Sequence, residues 1–355
     1  MQITGKVEAV SVVSMFPHSD EFCHKYRFVR QIGKGTYSKV YEVSDATGSP
    51  FAAKFVPLVD EGYNPEEAQN LRQARHVNVV PVHEVLFTQT HCAIVMDLIR
   101  GGELFQKVAL RPLPEECAKK HLKELLCVLK FLHANGVVHR DIKLENIMLT
   151  EEGTVQLIDF GFSKVVGDTK TLNSCCGSPN YMSPEMLKAS RFHEELPSKH
   201  SRYGKEVDIW AAGVVLYVML TGKYPFFDER RSIWHKSILL GQYTAPTTLS
   251  PEGNHLLASL LTVNCDERPS AADALRHPWF LCSVVAEQES DLVCAGKWPD
   301  KCKSPRPSNV SGMMILDSTN KRKTTPPLSA ASMMVAAAQF TPPHNTHALK
   351  FESPQ

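Results

Sequence analysis

Hydrophobic positions along the chain change period near its first quarter. From Tyr26 the pattern is that of strands. Val29–Ile32, Val40–Val43 and Phe51–Val56 are short runs rich in Val, Ile and Phe. A glycine turn separates the first two, and Ala46-Thr47-Gly48-Ser49-Pro50 the last two. This predicts a small antiparallel meander. A helical piece is expected around Pro65–Arg75, and further strands at Val82–Phe87 and Cys92–Leu98. Beyond Gly102 the period becomes helical. Ala118, Leu122, Leu125, Leu126, Leu129 and Leu132 recur at steps of three and four, predicting a helix over Glu115–Asn135 that Gly136 ends. The rest, to Phe280, reads as mostly helical with loops. A strand-rich first lobe (about 26–98) and a helix-rich second lobe (about 99–280) make an α+β chain, with its site expected in the cleft between them.

Two segments fall outside this pattern. Residues 281–355 are rich in Ser, Thr, Pro and Ala without sustained apolar periodicity, which predicts a largely disordered tail. Residues 1–25 read as an extension. The longest apolar run, Ile209–Leu220, is too short to span a bilayer and reads as a buried helix. No secretion signal is visible, so an intracellular location is expected, with cytoplasm first and nucleus as an alternative. The formal net charge is +1, so net charge alone predicts no strong field for nucleic acid or anionic membrane. The 10 cysteines suggest neither paired CxxC metal motifs nor a disulfide scaffold, so free thiols are expected.

The chemistry concentrates in His139-Arg140-Asp141-Ile142-Lys143-Leu144-Glu145-Asn146, followed by Asp159-Phe160-Gly161. Upstream, Ile32-Gly33-Lys34-Gly35-Thr36-Tyr37-Ser38-Lys39-Val40 lies between two strands, with Ser38 where a third glycine would stand. On its own this segment is either a phosphate cradle or an ordinary hairpin turn. Ala52-Ala53-Lys54 follows on the next strand but one.

These motifs together resemble the eukaryotic protein kinases, which use H-R-D-x-K-x-x-N and D-F-G. The resemblance covers about residues 26–280. Within the family, the chain is similar to serine/threonine kinases of the calcium/calmodulin-dependent group. Leu144, Asp159–Lys164 and Cys176-Gly177-Ser178-Pro179 resemble the AMP-activated and microtubule-affinity-regulating branch.

The resemblance implies a bilobal kinase fold, ATP and Mg²⁺ as cofactors, and protein substrates. Asp141 would orient or deprotonate the acceptor hydroxyl, and Lys143 would offset charge on the γ-phosphate. Asn146 and Asp159 would ligate Mg²⁺. Gly33, Lys34, Gly35 and Ser38 would cover the phosphates. Lys54 would meet the α and β phosphates, paired with Glu67, or with Glu66 as the alternative. Ile32, Val40 and Ala52 would roof the adenine pocket and Met148 floor it. Met96 would close its back, with Asp97-Leu98-Ile99 as the hinge. Glu185 of Ser183-Pro184-Glu185 would pair with Arg268, and Asp208 would brace the catalytic loop.

Lys143 and Gly177–Tyr181 resemble the serine/threonine form. Glu103 and Glu145 resemble carboxylates that favour a basic residue, expected three positions before the acceptor. Alternatively, Glu103 contacts only ribose and Glu145 is structural. Arg140, with Lys164, would bind a phosphate on Ser174, placed by an upstream kinase or by autophosphorylation. Thr169 and Thr171 are weaker candidates. Cys175-Cys176 could form a redox switch or remain two thiols. In the tail, Ser304, Thr325, Thr341 and Ser353 precede prolines, and Arg322 stands three before Thr325. No basic amphipathic helix for calmodulin stands out, and Ser190–Tyr203 reads as an insertion. A catalytically weak scaffold is the alternative to an active kinase.

Overall fold

The computed structural model describes residues 21–35, 38–58, 74–88, 90–165, 177–189 and 203–281. Strands β1 (Arg27–Lys34), β2 (Lys39–Ser44), β3 (Pro50–Pro57), β4 (Val82–Phe87) and β5 (His91–Asp97) form one antiparallel sheet, ordered β1-β2-β3-β5-β4. Each lies within two residues of the run that predicts it.

Register explains what each face does. Val40 pairs with Lys54, Lys54 with Ile94, and Ala52 with Met96. Cross-strand partners share a face, and so do residues two apart. Val40, Ala52, Lys54, Ile94 and Met96 therefore line the face turned to the cleft. Tyr41, Val43, Ala53, Phe55, Ala93 and Val95 line the other face and form a separate buried cluster with Phe22, Tyr26 and Leu86. Phe22 belongs to α1 (Glu21–Lys25), inside the segment read as an extension. Its ring is 1% exposed and packs edge-on against Phe55 at 4.9 Å. Residues 21–25 are thus part of the first lobe.

The expected helix around Pro65–Arg75 lies outside the described residues except for Ala74 and Arg75, which are irregular. From there the chain crosses to the second lobe. Val80 N donates to Leu157 O (3.1 Å), Leu157 N to Asn78 O (2.8 Å), and Asn78 Nδ2 to Val155 O (2.9 Å).

The second lobe is built on α2 (Leu104–Leu110), α3 (Glu115–Ala134), α4 (Pro184–Ala189), α5 (Glu206–Thr221), α6 (Arg231–Leu240), α7 (Pro251–Leu260) and α8 (Ala271–Ala274). Gly136 follows the C-cap of α3 with φ of 71°, the left-handed region that glycine adopts at least cost. Helix α5 is apolar on all sides and buried almost throughout, with Asp208 in its first turn. Among the described residues, no helix is long and apolar enough to cross a membrane.

Two short ladders carry the site. Strand β6 (Val137–Val138) pairs with β9 (Lys164–Val165), and β7 (Ile147–Leu149) with β8 (Val155–Leu157). The catalytic motif spans the turn from β6 to β7, and the Asp-Phe-Gly motif that from β8 to β9.

Candidate active site

The cluster centres on Asp141, which is 4% exposed. Its Oδ2 accepts from Lys143 Nζ at 2.6 Å and from Asn146 Nδ2 at 2.9 Å. Its Oδ1 accepts from Ser178 N at 3.0 Å and Ser178 Oγ at 3.1 Å. Lys143 Nζ also donates to Ser178 Oγ at 3.0 Å, which ties the loop to the segment after Gly177. Gly177 permits this closeness. Its φ is 89°, and a Cβ there would stand 2.4 Å from Arg140 O.

Asp159, also in the second lobe, meets Lys54 from β3 of the first. Lys54 Nζ donates to its Oδ1 at 2.7 Å, and Gly161 N at 3.0 Å. Burial acts to raise the carboxyl's pKa, but the Lys54 ammonium and these donors outweigh it and hold the pKa at about 2. Asp159 is therefore an anion at any physiological pH. Ile158 N donates to Asn146 O at 2.9 Å, so Asn146 is anchored beside the same turn. Asn146 Nδ2 is engaged by Asp141 O and Oδ2, which leaves its side-chain oxygen as the atom a cation would take. One carboxylate and one amide oxygen suit Mg²⁺, which binds through few protein oxygens when a substrate supplies phosphate oxygens. Among the described residues, no group of three or more His, Cys, Asp or Glu is placed to hold a metal by itself.

Both loops hold residues in the left-handed region, Arg140 at φ 67° and Asp159 at φ 60°. Such backbone costs on the order of 1–3 kcal/mol and persists only where neighbours enforce it. Asp208 enforces it at Arg140. It lies on α5, 1% exposed, and accepts from Arg140 N (2.8 Å), His139 N (2.9 Å) and His133 Nε2 (2.8 Å). Burial alone would raise its pKa, but these donors, His133 foremost, hold it low. The brace expected from Asp208 is present, and His133 is a partner that sequence reading missed. His139 is fully buried, and that burial pushes its pKa down. Its Nδ1 accepts from Asp141 N at 3.3 Å, and its ring meets buried Phe160 edge-on at 4.9 Å.

Sheet register places the residues expected to face a nucleotide. Ala52 and Met96 are buried, while Val40, Leu98 and Met148 are partly covered and Ile32 is 38% exposed at the rim. Glu103 forms an isolated bridge with Met148, and Leu149 N donates to Gly102 O at 2.9 Å. The chain at Gly102 and Glu103 thus runs against β7. A Cβ at Gly101 would lie 2.2 Å from Thr150 O, so only glycine fits there.

Strand β1 runs through Gly33 and Lys34. Gly35 N donates to Ser38 O at 2.8 Å, closing the turn, so that N–H is engaged within the hairpin itself. Thr36 and Tyr37 lie outside the described residues. So do Glu66, Glu67, Thr169, Thr171, Ser174, Cys175, Cys176 and nearly all of Ser190–Tyr203. The described end of that insertion, Tyr203, is 3% exposed, and Arg140 Nη1 donates to its hydroxyl at 3.4 Å. Arg140 Nε donates to Phe162 O at 2.6 Å.

Arg268 and Glu185 pair bidentately, at 2.7 and 3.1 Å. Arg268 also donates to Glu206 O and Thr262 O and lies 5.2 Å over the Trp210 ring. Glu145 accepts from Tyr181 OH at 3.3 Å, and burial raises its pKa, as it does that of Glu103.

Comparison with known proteins points one way. A family model described as a protein kinase domain matches residues 26–280. The calcium/calmodulin-dependent protein kinase type II alpha chain of Drosophila melanogaster is 36% identical over 289 residues, covering 76% of this chain and 52% of that protein. CBL-interacting protein kinase 16 of Oryza sativa subsp. japonica is 34% identical over 287 residues, covering 78% and 61%. CBL-interacting serine/threonine-protein kinase 5 of Arabidopsis thaliana is 34% identical over 267 residues, covering 72% and 58%. The chain spans roughly half to three fifths of the length of these relatives.

Proposed function

This chain belongs to the protein kinase family, and on that premise we propose that it transfers the γ-phosphoryl group of ATP to serine or threonine hydroxyls of protein substrates. The observation that carries this reading is the Asp141 carboxylate, gripped by Lys143, Asn146 and Ser178 within 3.1 Å. In the reaction, the acceptor oxygen forms a bond to the γ-phosphorus and the bridging oxygen–γ-phosphorus bond breaks, releasing ADP. The acceptor's proton passes to Asp141. Lys143, 2.6 Å from that carboxylate, offsets charge on the phosphoryl oxygens. Mg²⁺, held by Asn146 and Asp159, would neutralise phosphate charge when bound. Lys54 reaches the same turn from β3 and would meet the α and β phosphates. Val40, Ala52 and Met96 share its face and would cover the adenine ring. The presence of Lys54, Asp141, Asn146 and Asp159 together favours catalysis over a scaffold role.

Two finer readings rest on charge. Glu103 and Glu145 are carboxylates that burial makes costly to ionise. A substrate arginine would offset that cost by pairing with them, which supports a preference for arginine three positions before the acceptor. Arg140 projects beside Phe162 at the start of the segment that carries Ser174. A phosphate there would bring about −1.5 to −2 charge to this guanidinium and order the segment. A positional-scanning peptide library tests the first reading, which predicts selection of Ser or Thr with Arg three positions upstream. No basic selection there would refute it. Ser174→Ala tests the second. Full activity of that variant, without phosphate elsewhere in residues 164–178, would refute it.

A further inference from the structure

The hinge is held from outside by a residue that the phosphoryl-transfer reading does not use. Asp97 ends β5. Its N–H donates to Pro81 O at 3.1 Å, and its Oδ1 lies 2.6 Å from His83 Nε2. A carboxylate only accepts, so His83 Nε2 carries the proton and donates.

Strand β4 is shaped for this contact. Its pairing with β5 steps from Val82–Met96 to Glu84–Val95, which leaves His83 as an extra residue in a bulge. Bulges re-aim side chains, and this one turns the imidazole toward the hinge. The ring also packs edge-on against Phe51, with centroids 4.8 Å apart. Phe51 is the cross-strand partner of Asp97 on β3. Three strands thus close a triangle around the first hinge residue: register joins Phe51 to Asp97, ring contact joins Phe51 to His83, and a hydrogen bond joins His83 to Asp97. Both polar side chains are more than two-fifths exposed, so the contact contributes little to global stability. Its effect is local, at the segment that meets the nucleotide.

We propose that His83 is a positioning residue for nucleotide binding: it fixes Asp97, and through it Leu98 and Ile99, in the conformation that receives the adenine ring. This rests on the reading of 97–99 as the nucleotide-facing hinge.

The test measures affinity of the full chain for a non-hydrolysable ATP analogue with Mg²⁺ by calorimetry, together with KM for ATP, kcat and melting temperature. His83→Phe keeps the ring against Phe51 and removes the donor. It raises Kd and KM about threefold, the size set by losing one half-exposed hydrogen bond to a carboxylate, with kcat at saturating ATP retained. His83→Gln keeps a donor and restores affinity. In an Asp97→Ala background, His83→Phe has no further effect. The proposal is overturned if His83→Phe binds like the wild type, if His83→Gln is as weak as His83→Phe, or if the two losses add. A parallel fall in kcat and melting temperature would also overturn it, by showing a merely structural role. If His83→Phe does not fold, His83→Gln against Asp97→Ala decides: wild-type affinity in the first with weakened binding in the second supports the proposal, and any other result overturns it. A wild-type chain that binds no nucleotide would sink the hinge reading itself, a failure distinct from these.

Discussion

Asp208→Asn separates support of the catalytic loop from its chemistry. The substitution preserves volume and removes charge. The carboxylate accepts three hydrogen bonds at 2.8–2.9 Å, from His133, His139 N and Arg140 N. Asparagine keeps one oxygen, and its amide nitrogen must face one of the backbone N–H groups, donor against donor. At 1% exposure, water cannot substitute. A hydrogen bond to a charged group contributes about 1.5–3 kcal/mol, and a stranded buried donor costs about 1–3 kcal/mol. The loss expected is about 2–4 kcal/mol, which at roughly 2–4 °C per kcal/mol lowers the melting temperature by about 5–15 °C. Part of that loss falls on the left-handed backbone of Arg140, which relaxes once unrestrained. Asp141 is the next residue, and a displacement of about 1 Å there costs on the order of 100-fold in kcat. Lys54 and Asp159 are untouched, so KM for ATP changes far less than kcat. Steady-state kinetics beside thermal denaturation read both effects. A folded Asp208→Asn protein with wild-type kcat would refute the reasoning.

Other substitutions probe separate parts of the account. Gly177→Ala forces a Cβ to within 2.4 Å of Arg140 O, a backbone atom that cannot swing aside, so kcat falls by about 100-fold or more as Ser178 leaves Asp141; unchanged kinetics would contradict this. Arg268→Met removes an arginine whose side chain is 0% exposed and strands the Glu185 carboxylate, at about 3–5 kcal/mol, and the double variant that adds Glu185→Leu costs less because no charge is then stranded. Denaturant unfolding compares the two, and an equal or larger loss in the double variant would count against the argument. Glu115 accepts from Ser250 and Trp279, tying α3 and α7 to the end of the domain. Burial pushes its pKa up, but these donors and Lys119 bring it below the ordinary glutamate value of 4.5. The stability it contributes is therefore complete above pH 4.5 and is lost as pH falls through the lowered value. The melting-temperature gap between wild type and Glu115→Gln should shrink below pH 4.5, and a constant gap would disprove the linkage.

Much of this was legible in the sequence because it is local. Alternating apolar residues bounded by Gly48 or by the glycines at 33 and 35 mark strands, and the α3 heptad-like spacing marks a helix. Lys143 and Asn146 lie within five positions of Asp141, and that grouping needs only a tight turn, whereas Ser178 reaches it from 37 positions away. What was not legible depends on long-range register. His133 and Asp208 are 75 positions apart, and nothing in the spacing links them. Phe22 sits in a five-residue helix too short to show a period, and its burial depends on a pocket made by β3 and its neighbours. The His83 bulge is invisible until β4 is paired with β5, because an alternating pattern does not reveal which residue is extra. The hinge role expected of Asp97, Leu98 and Ile99 rests on family resemblance alone, since Met96, Asp97 and Leu98 by themselves look like the end of any buried strand.

The most direct test of the central claim is transfer of labelled γ-phosphate from ATP to a seryl or threonyl peptide by the full chain and by Asp141→Asn. The account predicts label on the peptide hydroxyl with the wild type. It predicts a rate at least about 100-fold lower with the variant, at similar nucleotide affinity. Equal rates from the two proteins, or label released only to water, would contradict it.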